Sequence, residues 1–289
     1  MILVIGGRSK IGSALVGDLL ARGETVRALA RVAESAGGYP AQVEVVTGDL
    51  ADVASLRSAM AGAEKVFLLA GPHESEVESN RNAIDAAKDA GVPLLVRSSI
   101  LGSDPESPSR FIRDHGVSDR YLRDSGVPHV TLRPNLFLEN VRDNNIPSIG
   151  ADGNMYVNAG GARISMTHTR DVAALAAVAL TEPGHEGASH DITGPAALTY
   201  GDVAASLSDV LGRKITYVDV PDDAVRRSLL GFGLDAWLVE GLIELYQDYR
   251  RSGSSGYASV VTDTVVRITG RAPRSIADLL AETSTPTAS

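Results

Sequence analysis

The first twelve residues, Met1-Ile2-Leu3-Val4-Ile5-Gly6-Gly7-Arg8-Ser9-Lys10-Ile11-Gly12, pass from an unbroken apolar run into a glycine turn and then into an amphipathic helix. An apolar run of this kind before a glycine turn reads as a strand. Backbone can approach a phosphate closely only where no Cβ stands in the way, and the following helix offers free N–H groups and its positive dipole end to an anion. Strand, tight turn and helix N-terminus together form the seat of a dinucleotide pyrophosphate. Gly6, Gly7, Arg8, Ser9, Lys10, Ile11 and Gly12 are therefore candidate cofactor-binding residues. The spacing reads G-x-x-S-x-x-G, with Ser9 where the common fingerprint has a middle glycine. An ordinary strand-to-helix turn with two glycines would look the same, and the βαβ pattern behind the turn favours the binding reading.

That pattern runs through the first half. Ile11, Leu15 and Leu19 recur at helical spacing until Arg22-Gly23, and Thr25–Ala30 and Val43–Val46 read as the second and third strands. Asp52 can cap a helix through Met60, and Lys65–Ala70 is the fourth strand. A helix over Asn80–Ala90, a strand over Pro93–Arg97, a helix around Asp114–Ser125 and a strand over Pro128–Leu132 follow. Strands joined by single helices run parallel. The expected fold is α/β, a Rossmann-type doubly wound parallel sheet with a smaller C-terminal α/β substrate lobe. The expected boundaries are a nucleotide-binding domain over 1–134, to which later segments can return, a substrate lobe over 135–282, and a frayed Ser/Thr/Pro tail over 283–289. Asp143–Gly161 reads as a polar loop on the cofactor side, followed by a helix over Asp171–Leu180 and strand-like pieces near Ala188–Ile192 and Ile215–Val218.

Composition excludes several classes. A chain of 289 residues is long enough for this architecture, and a net charge of −9 with no basic face argues against nucleic acid. There is no cysteine, so no disulfide, thiolate nucleophile or cysteine metal site can form. The apolar runs are too short to span a bilayer and the N-terminus enters a core strand directly, so a cytoplasmic location without membrane association is expected. His185 and His190 lack metal-ligand spacing to other ligands, and no metal is expected.

Cofactor choice turns on the end of the second strand, where a carboxylate favours NAD and an arginine pairs with the 2′-phosphate of NADP. Here the strand ends in Arg31, with no acid before Glu34, and Arg8 and Lys10 add positive charge. NADP (NADPH) is the expected cofactor. Asp49, at the exit of the third strand, either lies near the adenine or serves a turn. Leu69, Ala70 and Gly71 are expected under the adenosine and ribose. Asn135 and Leu136 are expected at the nicotinamide, with a turn and core packing as the other account. His168 fits a capping network and Trp237 fits packing of the small lobe.

Several stretches carry a more specific resemblance: Val26-Arg27-Ala28-Leu29-Ala30-Arg31, Gly48-Asp49-Leu50, Val66-Phe67-Leu68-Leu69, Asn82 through Val92, Arg97-Ser98-Ser99 and Leu132-Arg133-Pro134-Asn135. Together they resemble the NmrA-like, atypical branch of the short-chain dehydrogenase/reductases. Thr169-Arg170-Asp171-Val172-Ala173 and Gly184-His185-Glu186-Gly187 are similar to the bacterial NADPH quinone oxidoreductase 2 subgroup. The resemblance implies NADPH as the usual cofactor and adds Leu50 and Ser98 to the cofactor-binding candidates. Short-chain dehydrogenases use Tyr-x-x-x-Lys after the fifth strand, with a serine at that strand's end. The matching stretch here is Phe111-Ile112-Arg113-Asp114-His115, so the resemblance puts Phe111 in the tyrosine place, His115 in the lysine place and Ser99 in the serine place.

Phenylalanine cannot donate a proton, whereas a histidine can orient the nicotinamide ribose or protonate a product; a helix-surface or capping role is the alternative for His115. The catalytic candidates are His115 and Ser99. The expected activity is transfer of hydride from NADPH to a quinone-like or other activated small molecule. The alternative is a non-catalytic NADP-binding redox sensor acting through a protein partner; a homo-oligomer is compatible with either.

Overall fold

The computed structural model describes residues 1–31 and 38–284. Glu34 and most of the C-terminal tail lie outside them. The chain divides into two compact units, one comprising Met1–Ser107, Ile112–Arg133 and Val172–Asp191, the other Pro108–Phe111, Pro134–Asp171 and Ile192–Ser289.

The first unit is built on a seven-stranded sheet. Its strands are β1 (Ile2–Ile5), β2 (Val26–Ala30), β3 (Glu44–Thr47), β4 (Lys65–Leu68), β5 (Leu94–Ser98), β6 (His129–Pro134) and β8 (Ser189–Ile192), in the order β3-β2-β1-β4-β5-β6-β8. The pairings from β3 through β6 are parallel. Helices α1 (Lys10–Ala21), α2 (Val53–Met60), α3 (Glu76–Asp89) and α4 (Arg110–Ser125) supply the crossovers. All four β1 residues are buried, as a strand covered on both faces requires. Leu3, Ile5, Leu68 and Leu95 from the sheet pack with Leu56, Met60, Ile84 and Leu122 from the helices into one core.

From β1 the chain winds outward to β3, then returns to β4 and proceeds the other way. The reversal places a topological switch point between β1 and β4, where ligands bind at the carboxyl ends of strands in such sheets. Gly6 follows β1 and Leu69-Ala70-Gly71 follows β4, so two of the expected segments flank that point.

Helix α2 has its cap as expected, with Asp52 accepting from the Ala54 and Ser55 amides. Helices α3 and α4 begin four residues before the expected Asn80 and Asp114. The added turn of α3 carries Glu76 and Glu78, which suit a helix N-terminus but interrupt the apolar periodicity.

In the second unit, the stretch read as a loop over 143–161 is structured. It contains a π-helical segment (Val141–Asn145), the single-turn α5 (Ile146–Ser148) and β7 (Asn154–Val157), which pairs in parallel with β9 (Thr216–Asp219). Met155 and Val157 alternate with Asn154 and Tyr156, a period-2 signal too short to stand out among the surrounding polar residues. Helix α6 (Thr169–Thr181) starts in this unit and continues into the first, while α7 (Tyr200–Leu211), α8 (Asp222–Gly231), α9 (Ala236–Ser252), α10 (Thr264–Thr269) and α11 (Ile276–Ser284) complete it. Trp237 packs on Phe111 with ring centroids 5.6 Å apart, and Glu244, outwardly a solvated helix residue, pairs with Arg110 at 2.6 Å. No helix among the described residues is long and apolar enough to cross a membrane.

Candidate active site

The glycine turn has the geometry that its residues suggested. Gly6 has φ +84°, and a Cβ there would stand 2.6 Å from the Leu69 carbonyl oxygen. A Cβ on Gly12 would overlap the Gly6 carbonyl oxygen, so α1 reaches the turn only because residue 12 is glycine. Ser9 is the N-cap of α1 and its side chain accepts from the Gly12 amide at 2.9 Å. Ser9 therefore replaces a glycine by serving the helix end. No acidic residue occupies the first turn of α1, which leaves its positive end to an anion. A pyrophosphate fits this cradle.

Around the turn, Arg8, Lys10 and Arg31 are exposed, Ile11 is buried, and Arg31 directly follows β2. Tyr39 was not anticipated. Its hydroxyl is buried without a hydrogen-bond partner among the described residues, and a Cβ on Gly7 would lie 2.8 Å from it. No local pattern marks Tyr39, because the chain returns to Gly7 from beyond β2. Asp49 accepts from the Ala51 amide at 2.9 Å, a turn role, and the Leu50 carbonyl accepts from Asn82. Leu69 is half-buried and Ala70 buried, while a Cβ on Gly71 would meet nothing within 4 Å.

Asn135 lies in the second unit and its carboxamide is internally satisfied. Nδ2 donates to Ser165 Oγ at 3.0 Å and to the Ala258 carbonyl at 2.8 Å, and Oδ1 accepts from the Leu136 amide. In the same unit His168 Nδ1 stands 3.0 Å from Glu139, whose carboxylate accepts from the Thr169 amide at the start of α6. Burial works against ionisation of Glu139, but hydrogen bonds from His168 and Thr169 outweigh it and hold its carboxyl below the usual range.

Beyond the carboxyl end of β5 lies a buried polar cluster contributed by α3, β5 and α4 of the first unit. Arg97, fully buried, is paired with Asp119 and donates through Nε to Asn80 Oδ1 at 3.0 Å. Ser99 and Ser103 donate to Asp119 Oδ2 at 2.9 and 2.8 Å, and Arg133 approaches the same oxygen at 3.4 Å. The Ser99 hydroxyl proton is thus committed to Asp119, while Ser98, at the strand's last position, is buried.

His115 belongs to this cluster. Its Nδ1 lies 3.1 Å from Arg97 Nη2 and 3.3 Å from Glu76 Oε1. A guanidinium only donates, so Nδ1 accepts and the neutral ring carries its proton on Nε2. Burial, reinforced by the Arg97 charge and opposed by Asp119, pushes the imidazolium down to about 3. Burial raises Glu76 to about 8, opposed by Arg97 and reinforced by Asp114, so at neutral pH both Glu76 and His115 are uncharged. No local pattern joins Glu76, Asn80 and Asp119, which lie on three turns of two helices. The available signals were an arginine inside the apolar run Leu94-Leu95-Val96-Arg97 and an aspartate four residues after His115 on one helix face.

Phe111 is buried in the second unit, and a Cβ on Gly241 would overlap its ring. The phenylalanine is a packing residue there. Among the described residues, no group of three or more His, Asp or Glu could hold a metal ion.

The family model described as NAD(P)H-binding matches residues 6–183. The chain is 34% identical over 279 residues to the NAD(P)H azoreductase of Xenophilus azovorans, covering 96% of each. It is 28% identical over 282 residues to quinone oxidoreductase 2 of Escherichia coli, again covering 96% of each. A crystal structure of the NADPH-dependent quinone oxidoreductase from Escherichia coli complexed with NADPH superposes with a TM-score of 0.89 at 27% identity, covering 99% of this chain and 100% of that one. The match extends from the glycine turn through the polar cluster to α6, and the chain belongs to the NAD(P)H-binding family of NmrA-like atypical short-chain dehydrogenase/reductases.

Proposed function

We propose that this chain is an NADPH-dependent reductase of quinone-like or other activated small molecules. The observation that carries the reading is the pairing of a glycine cradle at the β1/β4 switch point with a buried cluster centred on neutral His115 and no tyrosine at position 111. Its relatives, an NAD(P)H azoreductase and a quinone oxidoreductase, support the same class of acceptor. When bound, the reduced nicotinamide supplies hydride.

In this reading the protein binds and orients. The turn from Gly6 to Gly12 and the N-terminus of α1 receive the pyrophosphate. Arg31, aided by Arg8 and Lys10, receives the 2′-phosphate, which selects NADP over NAD. Asp49 and Leu50 approach the adenine, Leu69-Ala70-Gly71 the ribose side, and Ser98 the nicotinamide end. A ketone demands a placed acid as its alkoxide forms, which Phe111 cannot be. A quinone is already a strong electrophile and yields a weakly basic oxyanion that forms without a placed acid, so on its own a neutral Nε2–H need only hydrogen-bond to it.

The test is NADPH consumption with a panel of quinones and azo compounds. Acceptor-dependent consumption supports the reading. Tight NADPH binding without consumption, together with capture of a protein partner, would instead mark a nucleotide sensor.

A further inference from the structure

Glu76 has no assigned part in the chemistry described so far, yet its environment is unusual. Its side chain is 1% exposed, and neither carboxyl oxygen is in a hydrogen bond of good geometry among the described residues. A buried carboxylate left this way would be costly, whereas a carboxylic acid needs only one acceptor for its proton. What faces Oε1 is His115 Nδ1 at 3.3 Å. In the Nε2–H tautomer Nδ1 carries the ring's one acceptor lone pair, and it is faced both by Arg97 Nη2, from which it accepts at 3.1 Å, and by Glu76 Oε1. His115 Nε2 has no hydrogen-bond partner among the described residues, and the side chain keeps 15% of its surface exposed. The charged groups facing this pair are Arg97 from β5, Asp114 and Asp119 from α4, and Arg133, which reaches the pair through Asp119.

We propose that Glu76 is a buried proton reservoir that acts through His115, so that Glu76 O–H, His115 Nδ1 and His115 Nε2–H form a two-step relay ending on the reduced acceptor. The proposal rests on the reductase reading above. After hydride has arrived, the acceptor carries an oxyanion. The Nε2–H bond breaks as an acceptor O–H bond forms, and the Glu76 O–H bond breaks as an Nδ1–H bond forms. Two bonds to hydrogen break and two form, and the imidazole exchanges tautomer without ever becoming charged. The negative charge ends on Glu76, and the Arg97 N–H that Nδ1 accepted before the transfer passes to the Glu76 carboxylate. Water then reprotonates Nε2 while the Nδ1 proton returns to Glu76. A charged imidazolium, which burial and Arg97 disfavour, is avoided throughout.

Glu76→Gln tests the relay, because glutamine preserves the shape and can still donate to Nδ1 but cannot surrender a proton. With a quinone the variant should turn over roughly 10²-fold more slowly, at the low end of what a placed proton donor is worth. Turnover by the unmodified protein should fall as pH rises through about 8, and the variant should lack that limb. In the cofactor-free unmodified protein, infrared spectra with isotope-labelled glutamate should contain a protonated carboxyl band at neutral pH, and nitrogen NMR of labelled histidine should place the His115 proton on Nε2. Unaltered turnover and pH profile in Glu76→Gln would overturn the relay and leave the reductase reading standing. So would the absence of a protonated carboxyl, a result obtainable even if the variant fails to fold. No acceptor-dependent consumption by the unmodified protein would overturn the reductase reading itself, and the relay with it.

Discussion

The Arg97 guanidinium is paired with the Asp119 carboxylate inside the first unit, with 0% and 7% of the two side chains exposed. A buried pair of this kind contributes little net stability compared with apolar packing, but removing one partner strands the other charge out of water. Asp119→Ala should therefore lower the unfolding free energy by about 3–5 kcal/mol. Chemical denaturation measures the change. A loss below about 1 kcal/mol, the value of an exposed pair, would mean that Arg97 finds water or another partner.

Glu76 and His115 give stability a particular pH dependence. Glu76 ionises near 4.5 in the unfolded chain but at about 8 when folded, so its contribution is complete below 4.5 and is lost as pH rises towards 8. His115 behaves inversely: its folded value lies at about 3 against an ordinary 6.5, so its contribution is present above 6.5 and is lost as pH falls through that range. Between pH 6.5 and 8 only the Glu76 contribution of this pair is changing. Unfolding midpoints in urea should decline across that window, and Glu76→Gln should flatten the decline. An unchanged slope in the variant would place the titrating group elsewhere.

The contrast between Gly12 and Glu76 marks what can be read from the chain alone. Gly12 was legible because the demand on it is local: a strand, a turn and a helix within twelve residues. The alternation of strands and helices in the first half and the capping of α2 by Asp52 follow from equally short signals. Glu76 meets His115 across thirty-nine positions of sequence, and neither residue's neighbours announce the meeting. Asn135 follows β6, and its long-range partners are equally invisible to local pattern: its amide donates to Ser165 and to the Ala258 carbonyl. Strand β7 was missed because four residues of alternation carry too little signal among glycines and polar residues.

Helix α1 closes on the turn only through the missing Cβ of Gly12. In Gly12→Val the branched side chain would overlap the Gly6 carbonyl, push the helix from the strand and displace the amides proposed to face the pyrophosphate. Calorimetric titration should detect no NADPH binding to a variant whose circular dichroism remains native-like. Normal binding by that folded variant would move the cofactor elsewhere.

Arg31 directly follows β2 and is exposed, and it is the residue proposed above to receive the 2′-phosphate. Arg31→Ala should weaken NADPH binding by roughly 1.5–3 kcal/mol, the worth of a hydrogen bond to a charged group. NADH binding should be nearly unchanged. Equal losses for both nucleotides would remove Arg31 from cofactor selection.

The most direct test of the account is the rate of NADPH oxidation by the purified protein, followed by absorbance with a quinone and with a simple unactivated ketone in parallel. With phenylalanine at position 111, where the resemblance puts the tyrosine, and neutral His115 in the polar cluster, the quinone should be reduced and the ketone left untouched, a difference of about 10²–10⁴-fold if a placed phenol is what the ketone lacks. Efficient ketone reduction, or tight NADPH binding with no oxidation by any quinone, would contradict the account.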